Sequence, residues 1–153
     1  MKTKYYAAYG SNMDERQMAL RCPGAKLVGR ALIQDKKLVF RRHLTVEECR
    51  GSEVPVALWE ITPADEKNLD IYEAYPGYYG KEYIKVYVTD SGERSPGQVT
   101  AMVYVMNEGR KICLPMKEYY DSVARAYRRF GFDLLHLETA IREAEEVTGR
   151  DHF

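Results

Sequence analysis

Up to residue 106, apolar residues mostly alternate with polar ones or form short runs that end at glycine, proline or charged turns. This pattern is typical of β-strands. The polar segment 44–53 and the turn-rich segment 91–98 are expected to be loops. The pattern predicts strands at residues 3–9, 26–35, 36–43, 53–61, 78–90 and 99–106.

Helical signals appear in the middle of the chain and again in its last third. A threonine–proline pair at 62–63 suits the N-cap and first position of a helix, which should end near Ala74, just before a proline. Later, apolar residues recur every three or four positions in two stripes, separated by Gly131 as a stop and Asp133 as a new N-cap. They predict a C-terminal helical pair at about 115–148. The stripes are Met116, Tyr120, Val123, Tyr127 and Phe130, then Leu134, Leu137, Ile141 and Ala144.

Five or six strands with helices at the start, middle and end describe a mixed α+β fold. The chain has 153 residues, of which 45% are hydrophobic, so residues 1–153 are predicted to form a single domain with a sizeable core. The hairpin-like spacing of the strands favours a small antiparallel or mixed β-barrel with flanking helices over a doubly wound sheet.

The charge balance and the scattered cysteines and histidines exclude several classes of function. Lys plus Arg number 23 and Asp plus Glu number 23, which argues against a nucleic-acid partner. We see neither a signal peptide nor a run of ~20 apolar residues, so no membrane partner is expected. Cys22, Cys49 and Cys113 suggest free thiols in the cytoplasm. The histidines lack paired-ligand spacing, so neither a metal nor a cofactor is predicted.

The segment YYAAYGSNM changes from apolar strand to polar turn at Gly10-Ser11-Asn12. One interpretation is a tight connection in which Asn12 caps a helix over residues 13–20, with Glu15 as its capping-box partner. The other is a binding site, because successive backbone N–H groups near a helix start suit a carboxylate and glycine lets a ligand approach. The tripeptide alone favours the first interpretation.

A second candidate is Glu73, in the segment LDIYEAYPGYY. Glu73 lies one helical turn after Leu69, so it points inward if Leu69 faces the core. Removal from water would raise the pKa of its carboxyl and make it a usable base near neutral pH. Tyr75, Tyr78 and Tyr79 follow and can supply hydroxyls. The alternative is the end of a surface helix followed by packing tyrosines, which is the commoner situation for a single glutamate.

Several segments together resemble the gamma-glutamylcyclotransferase family, the AIG2-like superfamily. They cover nearly the whole chain in the family's order, and they are YYAAYGSNM, RCPGAKLVGRALIQDKKLVF, LDIYEAYPGYY, TAMVYVM and the helical tail YYDSVARAYRRFGFDLLHLETAI. The sequence departs from the family at Ala74, where glycine is frequent, and at TVEECRGSE, residues 45–53, which replaces a stretch that usually contains Ala-Asp.

The resemblance implies an enzyme that cyclises a γ-glutamyl amide, a transferase- or lyase-type acyl transfer. The substrate's α-amine attacks its own side-chain carbonyl, giving 5-oxoproline and a free amine or amino acid. Glu73 matches the family's catalytic glutamate, which takes a proton from the ammonium and delivers one to the departing nitrogen. Gly10, Ser11 and Asn12 would hold the glutamyl carboxylate or the developing oxyanion through backbone N–H groups. We therefore predict that Glu73→Gln leaves the fold intact and abolishes turnover.

Other roles follow from the same resemblance. Tyr9 and Tyr79 match family tyrosines near the pocket, Tyr78 is an alternative to Tyr79 because the register is open by one residue, and Tyr104 is a weaker candidate. The partner is a small-molecule γ-glutamyl substrate, and a homodimer is compatible with the sequence. The leaving amine stays open. So do two alternative functions: another amide-related activity on this scaffold, and a non-catalytic module that binds a small carboxylate.

Overall fold

Five β-strands close into a barrel in the computed structural model of the protein, which describes residues 2–90 and 97–153. Around the barrel the strands follow the order β1-β3-β2-β4-β5, and every pairing is antiparallel except the parallel one between β1 and β5. The predicted mixed α+β barrel is thus confirmed. The strands are β1 (Lys4–Ala8), β2 (Lys26–Arg41), β3 (His43–Ile61), β4 (Tyr79–Asp90) and β5 (Gln98–Met106).

The long β2–β3 hairpin corrects two of the predicted boundaries. The predicted strands 26–35 and 36–43 join into the single strand β2, which ends at Arg41; the chain passes the register shift at Asp35, which has a φ of 60°, without a turn. The segment 44–53, expected to be a loop, belongs to β3 and pairs with β2 from Arg41↔His43 onward. Its polar side chains had suggested a loop, but they form pairs such as Lys36–Glu48 on the ladder.

The first helix begins later than predicted, and Asn12 does not cap it. Helix α1 spans Glu15–Arg21, and its N-cap is Asp14, whose carboxylate accepts hydrogen bonds from the N–H groups of Arg16 (2.8 Å) and Gln17 (3.4 Å). Asn12 lies instead in a single 3-10 turn, Ser11–Met13, which joins β1 to α1. The proposed capping box of Asn12 and Glu15 is therefore wrong, because Asp14 satisfies the first turn and leaves Asn12 free to turn inward.

Helix α2 spans Pro63–Tyr72 and begins as the sequence predicts. Thr62 is its N-cap, proline occupies the first turn, and Asp65 completes a capping box. The helix ends at Tyr72, and Glu73 is the C-cap residue. The next residue, Ala74, has a φ of 50°, so the chain turns sharply before it enters β4. The segment between α2 and β4 is joined to the end of β5 by Asn107, whose N–H donates to the carbonyl of Tyr78 (2.9 Å) and whose side chain donates to that of Pro76 (2.7 Å).

The C-terminal helical pair consists of α3 (Lys117–Phe130) and α4 (Leu135–Thr148). Gly131 ends α3 in the left-handed conformation, as expected. The predicted N-cap of α4 is displaced by one residue: Leu134 occupies that position, while the Asp133 carboxylate accepts a hydrogen bond from the Leu135 N–H (2.9 Å). No helix in the described part of the chain is long and apolar enough to cross a membrane.

Candidate functional site

A cavity of about 210 Å³ lies where the end of β1, the starts of β3 and β4, and the end of α2 meet. Tyrosine is the commonest residue in its wall, so the cavity offers ring faces and hydroxyl groups together. The wall consists of Tyr6, Ala7, Tyr9, Gly10, Ser11, Asn12, His43, Leu44, Tyr72, Glu73, Tyr78, Tyr79, Tyr104 and Tyr119. The predicted site residues are therefore all part of one cavity, except Tyr75, which was also offered as a source of a hydroxyl but is 39% exposed and lies outside the wall.

The turn after β1 supplies backbone donors to this cavity. The N–H groups of Met13 and Asp14 donate to the carbonyls of Gly10 (3.1 Å) and Ser11 (3.2 Å), which closes the 3-10 turn. The N–H groups of Gly10, Ser11 and Asn12 donate no hydrogen bond to another described residue, as expected for the first donors of such a turn. These residues form part of the wall, so unpaired backbone donors of a kind that suits an anion lie beside the cavity.

The Asn12 side chain connects this turn to Glu73. It is 3% exposed, and its Nδ2 donates to the Tyr6 hydroxyl (3.1 Å) and to Glu73 Oε1 (3.3 Å). Its Oδ1 accepts a hydrogen bond from Nη1 of Arg21, the last residue of α1. All polar atoms of this buried amide are thus engaged, which fixes its position beside the carboxylate.

Glu73 is the acidic group of the cavity. Leu69, one turn earlier on α2, is fully buried, so both residues lie on the inner face of the helix end, as the sequence suggested. Burial raises the pKa of the Glu73 carboxyl to about 7, and the positive charge of Arg21 opposes part of that rise. At neutral pH the carboxyl therefore exists in both protonation states, which a group that accepts and then returns a proton requires.

Arg21 and Tyr72 form one edge of the site. The Arg21 guanidinium lies 3.4 Å from the centre of the Tyr72 ring, and the Tyr72 hydroxyl is 2.9 Å from Ser11 Oγ. These contacts tie the end of α2 to the turn after β1, so Glu73 and the backbone donors are held at a fixed separation. Sequence reasoning did not identify Arg21 or Tyr72, because their contact depends on how α1 and α2 lie against each other.

Tyr9 and Tyr79 are buried, and both of their hydroxyls bond to backbone. The Tyr9 hydroxyl donates to the carbonyl of Tyr104 (2.7 Å), and that of Tyr79 donates to the carbonyl of Leu44 (2.8 Å). The Tyr79 hydroxyl is thus directed to Leu44 and not to Glu73. Burial raises the pKa of both hydroxyls well above the ordinary tyrosine value, so they stay protonated.

Tyr78 and Tyr104 have different surroundings. Tyr78 lines the cavity together with Tyr79, and its hydroxyl lies 2.9 Å from His43 Nδ1. The Tyr104 ring also reaches the wall, but its hydroxyl donates to Asp70 Oδ1 on α2 (2.6 Å). The Tyr104 hydroxyl therefore anchors α2, whereas that of Tyr78 is paired with a titratable ring in the cavity wall.

The sequence did not point to His43 and Tyr119, which complete the wall. The His43 ring packs edge-on against Tyr119 with centroids 4.9 Å apart, and the Tyr119 hydroxyl accepts a hydrogen bond from the Leu44 N–H (3.1 Å). Burial and nearby arginines lower the pKa of His43, which favours the neutral ring. Among the described residues, no three His, Cys, Asp or Glu side chains are grouped as metal ligands.

Comparison with known proteins identifies relatives of this fold. Residues 6–122 match the family model described as Gamma-glutamyl cyclotransferase, AIG2-like. A search of curated proteins finds no match. A solved Gamma-glutamyl cyclotransferase is 22% identical with a TM-score of 0.75, and the match covers 99% of this chain and 90% of that one. An uncharacterized protein from Homo sapiens is 21% identical with a TM-score of 0.78, covering 100% and 90%. YkqA from Bacillus subtilis is 17% identical with a TM-score of 0.74, covering 100% and 57%.

Proposed function

Because the chain belongs to the Gamma-glutamyl cyclotransferase, AIG2-like family, we propose that it cyclises a γ-glutamyl amide to 5-oxoproline and a free amine. One observation carries the proposal. The Glu73 carboxyl lies in the same cavity as the unpaired N–H groups of residues 10–12, and the Asn12 side chain connects the two. A small zwitterion can therefore place its carboxylate on the backbone donors and its ammonium near Glu73.

In the first step, Glu73 acts as a base. Its carboxylate takes a proton from the substrate's α-ammonium, and the neutral amine attacks the γ-carbonyl carbon of the same molecule. A new C–N bond closes the five-membered ring, and the carbonyl oxygen becomes an oxyanion. Nucleophile and electrophile are already tethered, so the enzyme has only to fold the substrate into a reactive geometry.

In the second step, the protonated Glu73 acts as an acid. It returns the proton to the departing nitrogen, the original amide C–N bond breaks, and the oxyanion collapses to the lactam carbonyl. The ring nitrogen still carries a second proton from the attacking amine, and the freed Glu73 carboxylate takes this proton and passes it to the released amine. The products are 5-oxoproline and the protonated amine, and Glu73 is again a carboxylate. The same side chain thus serves every proton transfer without a net gain or loss of protons.

The raised pKa of Glu73 suits this double role. The α-ammonium of a peptide has a pKa of about 8, and the adjacent α-carboxylate of a γ-glutamyl substrate raises the pKa of its ammonium further, so an ordinary glutamate near 4.5 receives the proton uphill by more than about 3 pKa units, or more than about 4 kcal/mol. With the pKa of Glu73 at about 7, the same transfer is less uphill by roughly 2–3 units. Burial thus brings the base closer to the acid that it has to deprotonate.

The tyrosine wall provides a setting for this chemistry. Tyr9 and Tyr79 are buried and hydrogen-bonded to backbone, which holds their rings in place around the substrate. We assign them to substrate binding through shape, with Gly10, Ser11 and Asn12 as the anion-binding donors. We also place the reaction in the cytoplasm, where free thiols such as those of this chain persist.

The proposal is tested by incubating the protein with a panel of γ-glutamyl amino acids and γ-glutamyl amines while 5-oxoproline is measured. We expect stoichiometric 5-oxoproline and amine from at least one of them. If no substrate gives product and small dicarboxylates still raise the Tm, the protein is a carboxylate-binding module and the proposed reaction is wrong.

A further inference from the structure

A lysine on β4 binds two carboxylates of α2 at once. Lys81 Nζ lies 2.6 Å from Glu66 Oε2 and 2.8 Å from Asp70 Oδ1. Glu66 and Asp70 are four residues apart, so their side chains lie on the same face of the helix, one turn from each other. The Lys81 side chain is only 13% exposed, so its ammonium is enclosed between α2 and the barrel.

Two further strands contact the same face of α2. Lys4 on β1 pairs with Glu66 at 2.9 Å, and the Tyr104 hydroxyl on β5 donates to Asp70 Oδ1 at 2.6 Å. Lys81 bridges both carboxylates, whereas Lys4 and Tyr104 each contact one of them. Charged and polar contacts from three strands therefore fasten α2 to the barrel, with Lys81 at their centre.

These contacts reach the chain on both sides of Glu73. The Asp70 carbonyl accepts a hydrogen bond from the Tyr75 N–H (2.9 Å), and the Leu69 carbonyl accepts one from the Glu73 N–H (2.8 Å). Glu73 is the C-cap residue of α2, so its position follows from that of the last helical turn. Lys81 Nζ also lies 4.2 Å from the centre of the Tyr75 ring. Lys81 thus contacts one residue before Glu73 and one residue after it.

We propose that Lys81 is a positioning residue for Glu73, because it holds the chain on both sides of the carboxyl that serves as the base. The inference rests on the proposed cyclisation and concerns a side chain outside the cavity wall. In Lys81→Met, Glu66 and Asp70 lose their shared partner, and their like charges then repel each other across one turn. We expect the end of α2 to shift from the barrel and to take Glu73 out of its place beside Asn12.

The pKa of Glu73 distinguishes such a displacement from a simple loss of charge. Burial raises this pKa to about 7, and the positive charge of Arg21 opposes part of the rise. The other titratable groups of the wall, His43 and the tyrosine hydroxyls, are the same in Lys81→Met. A carboxyl that moves into water has a pKa nearer its ordinary value, whereas removing a distant positive charge from a carboxyl that stays in place raises the pKa. Positioning by Lys81 therefore predicts a downward shift.

The test measures the pKa of Glu73 by ¹³C NMR of glutamate-labelled protein, with Glu73→Gln to assign the carboxyl signal. In Lys81→Met we expect a midpoint lower by about 1 pH unit or more. On the best substrate of the panel at pH 8, kcat should fall by about tenfold to 10²-fold, as for a base displaced by about 1 Å, and KM should change less than about threefold because residues 10–12 still bind the substrate carboxylate.

Two control variants accompany Lys81→Met. Lys81→Arg should keep the midpoint and kcat near their wild-type values, since a guanidinium also bridges two carboxylates. Lys85→Met makes the same substitution at an exposed lysine of β4 and should alter neither value. If Lys81→Met does not fold, Tyr104→Phe replaces it, because this change removes one hydroxyl from Asp70 and keeps the ring in the wall; its midpoint should also be lower, by a smaller amount.

An unchanged midpoint in the folded Lys81→Met variant overturns the assignment and leaves Lys81 a role in stability alone. An upward shift also overturns it, since Glu73 has then stayed in place and lost only a distant charge. For Tyr104→Phe, an unchanged or higher midpoint has the same meaning. If the wild type yields no 5-oxoproline from any member of the panel, the proposed cyclisation fails, while the NMR midpoint still decides whether Lys81 positions Glu73.

Discussion

Replacing Glu73 by glutamine should make the protein more stable at alkaline pH, because the wild-type fold holds a carboxylate where water is largely excluded. The amide is nearly isosteric, and its oxygen can still accept the hydrogen bond from Asn12 Nδ2. The variant loses only the charge. The difference in free energy of unfolding between the two proteins is therefore the cost of burying that charge.

The magnitude follows from the pKa. Burial raises the pKa of Glu73 from an ordinary 4.5 to about 7, and a shift of that size corresponds to about 3 kcal/mol. Between these two pH values the folded wild type binds more protons than the unfolded chain, so its stability falls as pH rises from about 4.5 to 7. Glutamine does not titrate. The variant should thus match the wild type near pH 4.5 and exceed it by about 3 kcal/mol at pH 8.

Urea denaturation at several pH values measures this difference directly. At pH 8 the expected gain corresponds to roughly 6–12 °C in Tm for a chain of this length. The control is Glu146→Gln, which changes an exposed carboxylate on α4 and should show no comparable dependence on pH. If the free energy of unfolding of Glu73→Gln differs from that of the wild type by the same amount at pH 5 and pH 8, the carboxyl is not desolvated and its pKa is not raised.

Further predictions concern the neighbours of Glu73. Wild-type kcat/KM should fall as pH drops below about 7, where Glu73 is protonated, and Arg21→Gln should move that midpoint upward in a pH–rate profile because it removes the charge that lowers the pKa. In Gly10→Ala, the new Cβ would lie 3.1 Å from the Tyr119 hydroxyl oxygen, so we expect kcat/KM to drop by at least ~tenfold in steady-state assays. Asp14→Ala removes the true N-cap of α1 and should cost about 1 kcal/mol in urea denaturation, whereas an unchanged midpoint would return the capping role to Asn12.

Local signals in the sequence were sufficient for α2 and for the placement of Glu73. Thr62 and its following proline specify a helix start almost independently of the rest of the fold. The spacing of Leu69 and Glu73 then carries the carboxyl to the same inner face. Where a short-range rule determines the geometry, the sequence predicts it well.

The capping role of Asn12 was misassigned because the sequence offers two equivalent candidates. Asn12 and Asp14 are both good N-cap residues, and nothing local separates them. The choice is made by tertiary contacts, since Tyr6, Glu73 and Arg21 together satisfy the Asn12 amide inside the protein. These contacts thus explain both why Asn12 does not cap the helix and why its side-chain amide lies at the cavity.

Some site residues could not be predicted from the sequence because they come together only when the barrel closes. His43 begins β3 and Tyr119 lies on α3, so their contact with each other beside Tyr78 depends on strand order and on how the last helices return to the barrel. The segment 44–53 shows the same limit, because polar residues paired across a hairpin have the composition of a loop. Predicted loop residues 91–96 lie outside the described part of the chain.

In the proposed cyclisation, the carboxyl of Glu73 performs the proton transfers at this cavity. The most direct test of this assignment is the rate of 5-oxoproline release by the wild type and by Glu73→Gln, both shown to be folded, on the best substrate of the panel. We expect turnover by the wild type and at least a ~10³-fold loss in the variant, which lies within the range of about 10²–10⁴ that a positioned proton-transfer group usually contributes. A Glu73→Gln variant that cyclises the substrate at a rate near that of the wild type would contradict this assignment.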